Sequence, residues 1–153
     1  IFYLSLEERV KLTRLVYERA KALEKEHGRR FTVVSSGHVS DSFEEQVREL
    51  TAIWESGTDA LILITNRLDP KNEGDDIWIE NCKKLLELLP IDVKLGLYEC
   101  PYPYKRLVTP KILDFCLSTG KFFRQRSYSC GVSPPSGLIP SRDLCRCCLC
   151  QRE

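Results

Sequence analysis

Along the first 123 residues the apolar positions switch repeatedly between a helical period and short continuous runs. Ser5-Leu6-Glu7-Glu8 reads as a capping box, in which the Ser5 hydroxyl accepts from the Glu8 amide and the Glu8 carboxylate reaches back. Leu6, Val10, Thr13, Val16, Tyr17, Ala20 and Leu23 then follow at helical spacing, with Gly28 as a natural stop. Phe31-Thr32-Val33-Val34-Ser35 is short, β-branched and apolar, which predicts a strand buried on both faces. A polar loop with Gly37 and His38 leads to Ser42-Phe43-Glu44-Glu45, a second capping box. The helix it opens runs through Val47, Leu50, Ile53 and Trp54 to Gly57.

The pattern repeats. Ala60-Leu61-Ile62-Leu63-Ile64 predicts a second buried strand, and Thr65 to Asp76 a polar, solvated loop. Trp78, Cys82, Leu85, Leu86 and Leu89 form the apolar side of a helix over 77–89 that Pro90 ends. Val93 to Tyr98 predicts a third strand. Thr109-Pro110 is an N-cap with proline at the first helical position, opening a helix to Ser118 with Gly120 beyond. Lys121-Phe122-Phe123 reads as the start of a fourth strand. Strand starts near 31, 60, 93 and 121 lie about 30 residues apart, the rhythm of βα units. The predicted class is α/β, a parallel sheet with helices packed outside it. A doubly wound sheet and a closed barrel both fit this periodicity. Three to four units are less than half of the roughly 250 residues a (β/α)₈ barrel takes.

Residues 124–153 have a different texture. They form an irregular tail rich in Ser, Pro, Arg and Cys, without helical or strand period and without lysine. Cys82, Cys100 and Cys116 sit singly in predicted elements, as free core thiols of a cytosolic protein do, whereas Cys130, Cys145, Cys147, Cys148 and Cys150 crowd the end. The change comes in mid-strand, where natural domain boundaries do not fall, so a shifted reading frame or unrelated splice after residue 123 is expected. The absence of any Met fits a piece of a larger reading frame. The expected organisation is 1–123 as a partial barrel and 124–153 as a disordered tail.

Charge adds an exclusion. With 23 basic and 22 acidic side chains the net charge is +1, so nothing argues for a nucleic-acid or membrane partner. No apolar run approaches the roughly 20 residues of a membrane span.

Chemistry in parallel α/β folds sits where strands end at their carboxyl side. The third strand ends in Leu97-Tyr98-Glu99-Cys100-Pro101. A phenol there can relay protons between an amine and a substrate carbonyl; packing at the sheet mouth is the plainer role for Tyr98. Asp69, Glu73, Asp75 and Asp76 lack calcium-loop spacing and are expected to be solvated. His38 follows the first strand, where substrate contacts occur, but a lone loop histidine is usually a surface residue. His27 beside Gly28 is a favourable charge at a helix end. Trp54 and Trp78 are core or subunit-contact residues. Cys145, Cys147, Cys148 and Cys150 lack paired C-x₂-C knuckles, so no zinc site is expected.

Leu95-Gly96-Leu97-Tyr98-Glu99-Cys100-Pro101 resembles the strand-five "YNVP" segment of the dihydrodipicolinate synthase and N-acetylneuraminate lyase family. Phe2-Tyr3-Leu4-Ser5-Leu6-Glu7-Glu8-Arg9 resembles the segment after that family's "GTTGE" loop, where "LSLEER" opens the second helix. The resemblance covers roughly residues 1–123 and implies a (β/α)₈ TIM barrel, cytoplasmic, usually homotetrameric, without metal or other cofactor. It implies a class I aldolase-type lyase, in which pyruvate, a keto acid, forms a Schiff base with a strand-six lysine assisted by the strand-five tyrosine.

Tyr98 is the one catalytic residue that carries over. The lysine belongs a few residues beyond Phe123, in a "KD[TS]" motif, where this chain has Arg124-Gln125-Arg126-Ser127. Lys121 is expected at the wrong end of its strand. The carboxylate-binding "GTTGE" loop would precede residue 1, and the family's arginine five residues past the tyrosine is Pro103 here. Arginine keeps its proton and is no amine nucleophile. The chain is therefore expected to be an inactive fragment of such a lyase. The alternative is a non-catalytic scaffold or binding protein with a cysteine-rich tail, and a third reading is a thiol or zinc module in that tail.

Overall fold

The structure, a computed structural model, describes residues 2–123. Helix α1 (Leu6–His27) begins as its sequence predicts: Ser5 Oγ accepts from the Glu8 amide at 3.2 Å while Glu8 takes the Ser5 amide at 2.8 Å. It ends on Gly28, whose φ of 65° places it in the left-handed region glycine tolerates. Strand β1 (Val34–Ser36) starts three residues later than expected. The reason is local. Asp59 and Thr58 hold the stretch before it, with Asp59 Oδ2 accepting from the Val33 amide at 2.8 Å and Thr58 Oγ1 donating to the Val33 carbonyl at 3.0 Å.

Helix α2 (Phe43–Glu55) has only half of its expected capping box. Ser42 Oγ accepts from the Glu45 amide at 3.5 Å, but it donates to Glu44 at 2.9 Å and no Glu45 carboxylate returns. Strand β2 (Ala60–Ile64) is followed by a 3₁₀ turn (Thr65–Leu68), then α3 (Asp75–Leu88), β3 (Leu95–Tyr98) and α4 (Pro110–Ser118). Thr109 caps α4 through the Ile112 amide, with proline at the first turn as the sequence predicts.

The three strands are parallel in the order β1-β2-β3, with Ser36 beside Ile62 and Ile62 beside Gly96. Beyond α4, Phe122 pairs in parallel with Leu95: the Leu95 amide donates to the Lys121 carbonyl and the Phe123 amide to the Leu95 carbonyl, both at 3.0 Å. The expected fourth strand thus begins on the far side of β3.

Successive strand residues face opposite sides, and only one side is packed by helices. Leu61, Leu63 and Leu95 join Leu50, Ile53, Trp78, Leu85 and Ile112 in one buried cluster that Leu97 and Phe122 extend. Burying a side chain such as Leu50 or Ile53 is worth roughly 1.5–3 kcal/mol, so this cluster holds the sheet to its helices. Val34 and Tyr98 lie on the opposite face and are about half exposed. Cys82, Cys100 and Cys116 are free and buried as expected, and burial pushes the Cys116 thiol up to about 12.

The solvated loop expected over 65–76 holds at 70–73 and at Asp76, which are exposed, and is corrected over 65–69. Thr65, Asn66, Arg67, Leu68 and Asp69 are all buried: Thr65 and Asn66 donate to carbonyls of the loop that follows β3, Arg67 pairs with Asp41, and Asp69 pairs with Arg106. None of the described helices is long and apolar enough to cross a membrane. The tail expectations for 124–153, including its disorder, its altered frame and its cysteine cluster, lie outside the described residues.

Candidate functional site

The carboxyl ends of β1, β2 and β3 open into loops 37–42, 65–74 and 99–109, and these three loops make the mouth where a parallel α/β fold carries chemistry. Tyr98 ends β3 as the sequence predicts, with its side chain 49% exposed. Its carbonyl accepts from Thr65 Oγ1 at 3.3 Å and from the Cys100 amide at 2.9 Å, fixing the backbone. Among the described residues its phenol oxygen makes no hydrogen bond.

No amine faces it. Lys121 is one residue before the Phe122–Leu95 pair, which sets it level with Lys94, four residues below Tyr98. At about 3.3 Å per strand residue that is roughly 13 Å along the sheet. Its ammonium is occupied there, donating to the Ile91 carbonyl at 2.9 Å and the Pro90 carbonyl at 3.5 Å. Lys105, in the loop after β3, is exposed and lies 4.0 Å from Glu99. Glu99 itself accepts the Val108 amide at 2.7 Å and serves its own loop.

Around Tyr98 the polar side chains are spent on structure. Asn66, fully buried, donates to the carbonyls of Cys100, Tyr102 and Tyr104 at 3.1, 2.9 and 2.6 Å, so one amide group organises the whole turn after β3. Thr65 Oγ1 donates to the Arg106 carbonyl at 2.8 Å, and Trp78 Nε1 donates to the Thr65 carbonyl at 2.8 Å. Arg106 lies 2.8 Å from both Asp69 and Asp75 and donates to Asn72 at 2.9 Å. Asp69 also accepts the amides of Glu73 and Gly74 at 2.8 and 3.1 Å.

Asp69, expected in solvent, is therefore completely buried as the anchor of two loops. The four acidic residues of the 65–76 segment do not converge on a common point. No cluster of three or more His, Cys, Asp or Glu able to hold a metal ion occurs among the described residues.

A second network pins loop 37–42. Arg9, on the buried side of α1, donates to Glu49 at 2.5 Å and to the Gly37 carbonyl at 3.1 Å. Glu49 accepts the amides of Val39 and Ser40 at 2.8 and 3.2 Å. Burial alone would raise the Glu49 carboxyl, but these amides and the guanidinium outweigh it and hold it below the usual carboxylate range.

His38, expected at the surface, is another correction: it is fully buried. Its Nδ1 lies 2.9 Å from Gln46 Oε1, and its Nε2 accepts the Ile64 amide at 2.7 Å, so the neutral tautomer carries its proton on Nδ1. Burial pushes its pKa down from 6.5 to about 4. It latches the loop after β1 onto the end of β2. Gln46 completes the latch by donating to the Arg67 carbonyl at 3.0 Å.

Sequence reasoning missed Arg9, Asn66, Asp69 and Arg106 as the organising groups of the mouth. Arg9 carried a readable signal, since a charge at helical spacing between Leu6 and Thr13 must find a buried partner. The partners Glu49 and Asp69 are 40 and 37 positions from their arginines, and no local pattern joins them. Trp78 is fully buried and Trp54 half-buried, both on α3 and α2 stripes as expected. His27 sits in the last turn of α1 as expected.

What the mouth presents chemically, among the described residues, is the exposed phenols of Tyr98 and Tyr102 on a braced backbone, with no lysine paired to either. Compared with known proteins, the chain matches no protein-family model and no curated protein.

Proposed function

We propose that this chain derives from a lyase similar to dihydrodipicolinate synthase and N-acetylneuraminate lyase, and that it has lost the imine chemistry. Three observations support the barrel part of this reading. The strands follow one another in sequence order, all parallel, and the Phe122 pairing adds the next on the same side. Every helix between them packs on one face of the sheet. A doubly wound sheet would reverse strand order and send later helices to the other face; consecutive one-sided winding is what a (β/α)₈ barrel requires.

The observation that carries the functional reading is Tyr98. It ends its strand with an unengaged, half-exposed phenol, where the family resemblance implies the tyrosine that assists imine formation with pyruvate. A Schiff base needs a neutral amine within bonding distance of the keto carbon. Lys121 sits low on its strand with its ammonium engaged, and the sequence has no lysine after it. On this reading the chain does not condense pyruvate.

The derivation is tested in the encoding DNA beyond codon 123. A hydrophobic–Lys–Asp–Ser/Thr run in another frame is the expected finding, and its absence from both alternative frames sinks the derivation. A second reading, a non-catalytic scaffold or binding protein, is favoured by the way Arg9, Asn66 and Arg106 spend the polar groups of the mouth on loop anchoring. The two readings share the prediction of inactivity and part at the DNA.

A further inference from the structure

Residues 37–41, which carry the chain from β1 to the start of α2, are tied to the rest of the mouth almost wholly through side chains. Among the described residues, their one backbone-to-backbone hydrogen bond outside helices and strands joins the Gly37 amide to the Ile62 carbonyl at 3.4 Å. Arg9 donates to the Gly37 carbonyl at 3.1 Å, and Gln46 donates to the Asp41 carbonyl at 3.3 Å. Glu49 accepts from the Val39 and Ser40 amides and from the Ser40 hydroxyl, while Asp41 pairs with Arg67. His38 is the inward tie, its ring joining this segment to α2 and to the end of β2. Loop 99–109 is held differently, by the Thr65 hydroxyl and the Asn66 amide, groups that do not titrate.

Both nitrogens of the His38 ring are committed, and their roles cannot be exchanged. Gln46 Nε2 donates to the Asp41 and Arg67 carbonyls, so Gln46 Oε1 must face His38 Nδ1 and accept its proton. Nε2 is left as the acceptor for the Ile64 amide at 2.7 Å. A proton added there would face that N–H directly, donor against donor, and the bond would break. The charges around the ring do not relieve this. Arg9 from α1 and Arg67 from the turn after β2 oppose a second proton. Glu49 from α2 favours it, but Arg9 and the amides of Val39 and Ser40 already occupy its oxygens. Asp41, the segment's own carboxylate, is held by Arg67. The ring is completely buried, and burial keeps it neutral down to about 4.

We propose that residues 37–41 form an acid-released flap at the sheet mouth, which a proton on His38 frees from α2 and the end of β2 while the sheet and its helices stay folded. Release stays local because no residue of 37–41 belongs to the hydrophobic cluster that joins the strands to α2, α3 and α4. What opens is one edge of the mouth, where β1 and β2 end. The step is a proton taken from solvent by Nε2 and returned as the pH rises, with no covalent bond changed. The inference stands on the fold alone and is independent of the lyase derivation.

The test is amide hydrogen exchange on the full chain at pH 6.5 and 4.5, corrected for the intrinsic pH dependence of exchange. Protection of the Val39, Ser40 and Ile64 amides is expected to fall at least about 10-fold at the lower pH, because the released segment carries a protonated His38. Exchange of these amides is expected to ignore low concentrations of urea. The Leu63 and Leu95 amides, in the sheet, are expected to stay at least about 10-fold better protected at both pH values and to respond to urea. His38→Gln removes the titrating ring, and its Val39 and Ser40 amides are expected to exchange alike at both pH values. The His38 ring signal of the wild-type chain, followed by NMR, is expected to titrate together with the loss of loop protection, which keeps the test decisive should the variant fail to fold. Loop protection that ignores pH overturns the proposal, as do loop amides that exchange only together with those of the sheet. A His38 ring that titrates while the loop stays protected, or a His38→Gln protein with the wild-type pH response, overturns it equally.

Discussion

Lowering the pH from 7 to 4 loads a single buried group whose cost can be worked out, the His38 imidazole. Above pH 6.5 it is neutral in the folded and the unfolded chain alike. Between 6.5 and its folded value of about 4, the unfolded chain takes a proton that the folded chain refuses, because a charged ring would be stranded without water. A second proton on the ring would also remove Nε2 as acceptor for the Ile64 amide. Folding stability is therefore complete above pH 6.5 and falls as the pH drops through this window, levelling off below about 4. At about 1.4 kcal/mol per pH unit, the full loss is about 3.5 kcal/mol.

Glu49 is held below the usual carboxylate range, and its contribution is present above its ordinary value of 4.5 and lost only below it, so it leaves the upper part of the window clear. The assay is urea unfolding at pH 7, 6 and 5, at one protein concentration because association would shift the midpoint. His38→Gln is the control: it should be less stable at pH 7 by about 1–3 kcal/mol for the broken latch, yet flat between pH 7 and 5. A wild-type midpoint that does not move between pH 6.5 and 5, or a His38→Gln protein that keeps the wild-type slope, refutes this reasoning.

Arg106→Met leaves the buried Asp69 and part-buried Asp75 carboxylates unpaired and is expected to cost about 3–5 kcal/mol in urea unfolding. Asn66→Ala strips three carbonyls of their shared donor, so limited proteolysis should cut within 99–108 before the rest of the domain opens. Gly57→Ala is expected to cost about 1–3 kcal/mol in thermal unfolding, since its φ of 108° suits glycine and an added Cβ would lie 2.8 Å from the Tyr17 ring. Ser5→Ala should cost about 1 kcal/mol by removing the cap of α1, read in the same assay.

Helices and strands were legible wherever their signal was local. The capping box at Ser5, the Thr109-Pro110 start and the run from Ala60 to Ile64 each determine conformation through neighbours in the chain. Tyr98 was legible as a strand-end residue for the same reason. Segment 65–69 was misread because polarity was taken for solvation; Asn66 satisfies carbonyls of the loop after β3 and Asp69 pairs with Arg106 in that loop, both over 30 residues away. His38 was misread likewise, since its burial depends on Gln46 and the Ile64 amide meeting it in space. The strand boundary at Val34 turned on Asp59, a residue no strand propensity scale consults.

The central claim is that a phenol stands at the sheet mouth without an amine to serve. Its most direct measurement is reduction of the full chain with sodium borohydride in the presence of pyruvate, read by intact mass and peptide mapping, beside a known imine-forming enzyme treated identically. The account predicts that this chain keeps its unmodified mass while the reference enzyme gains the reduced adduct. A stoichiometric pyruvate adduct on Lys105, Lys121 or any other lysine contradicts it.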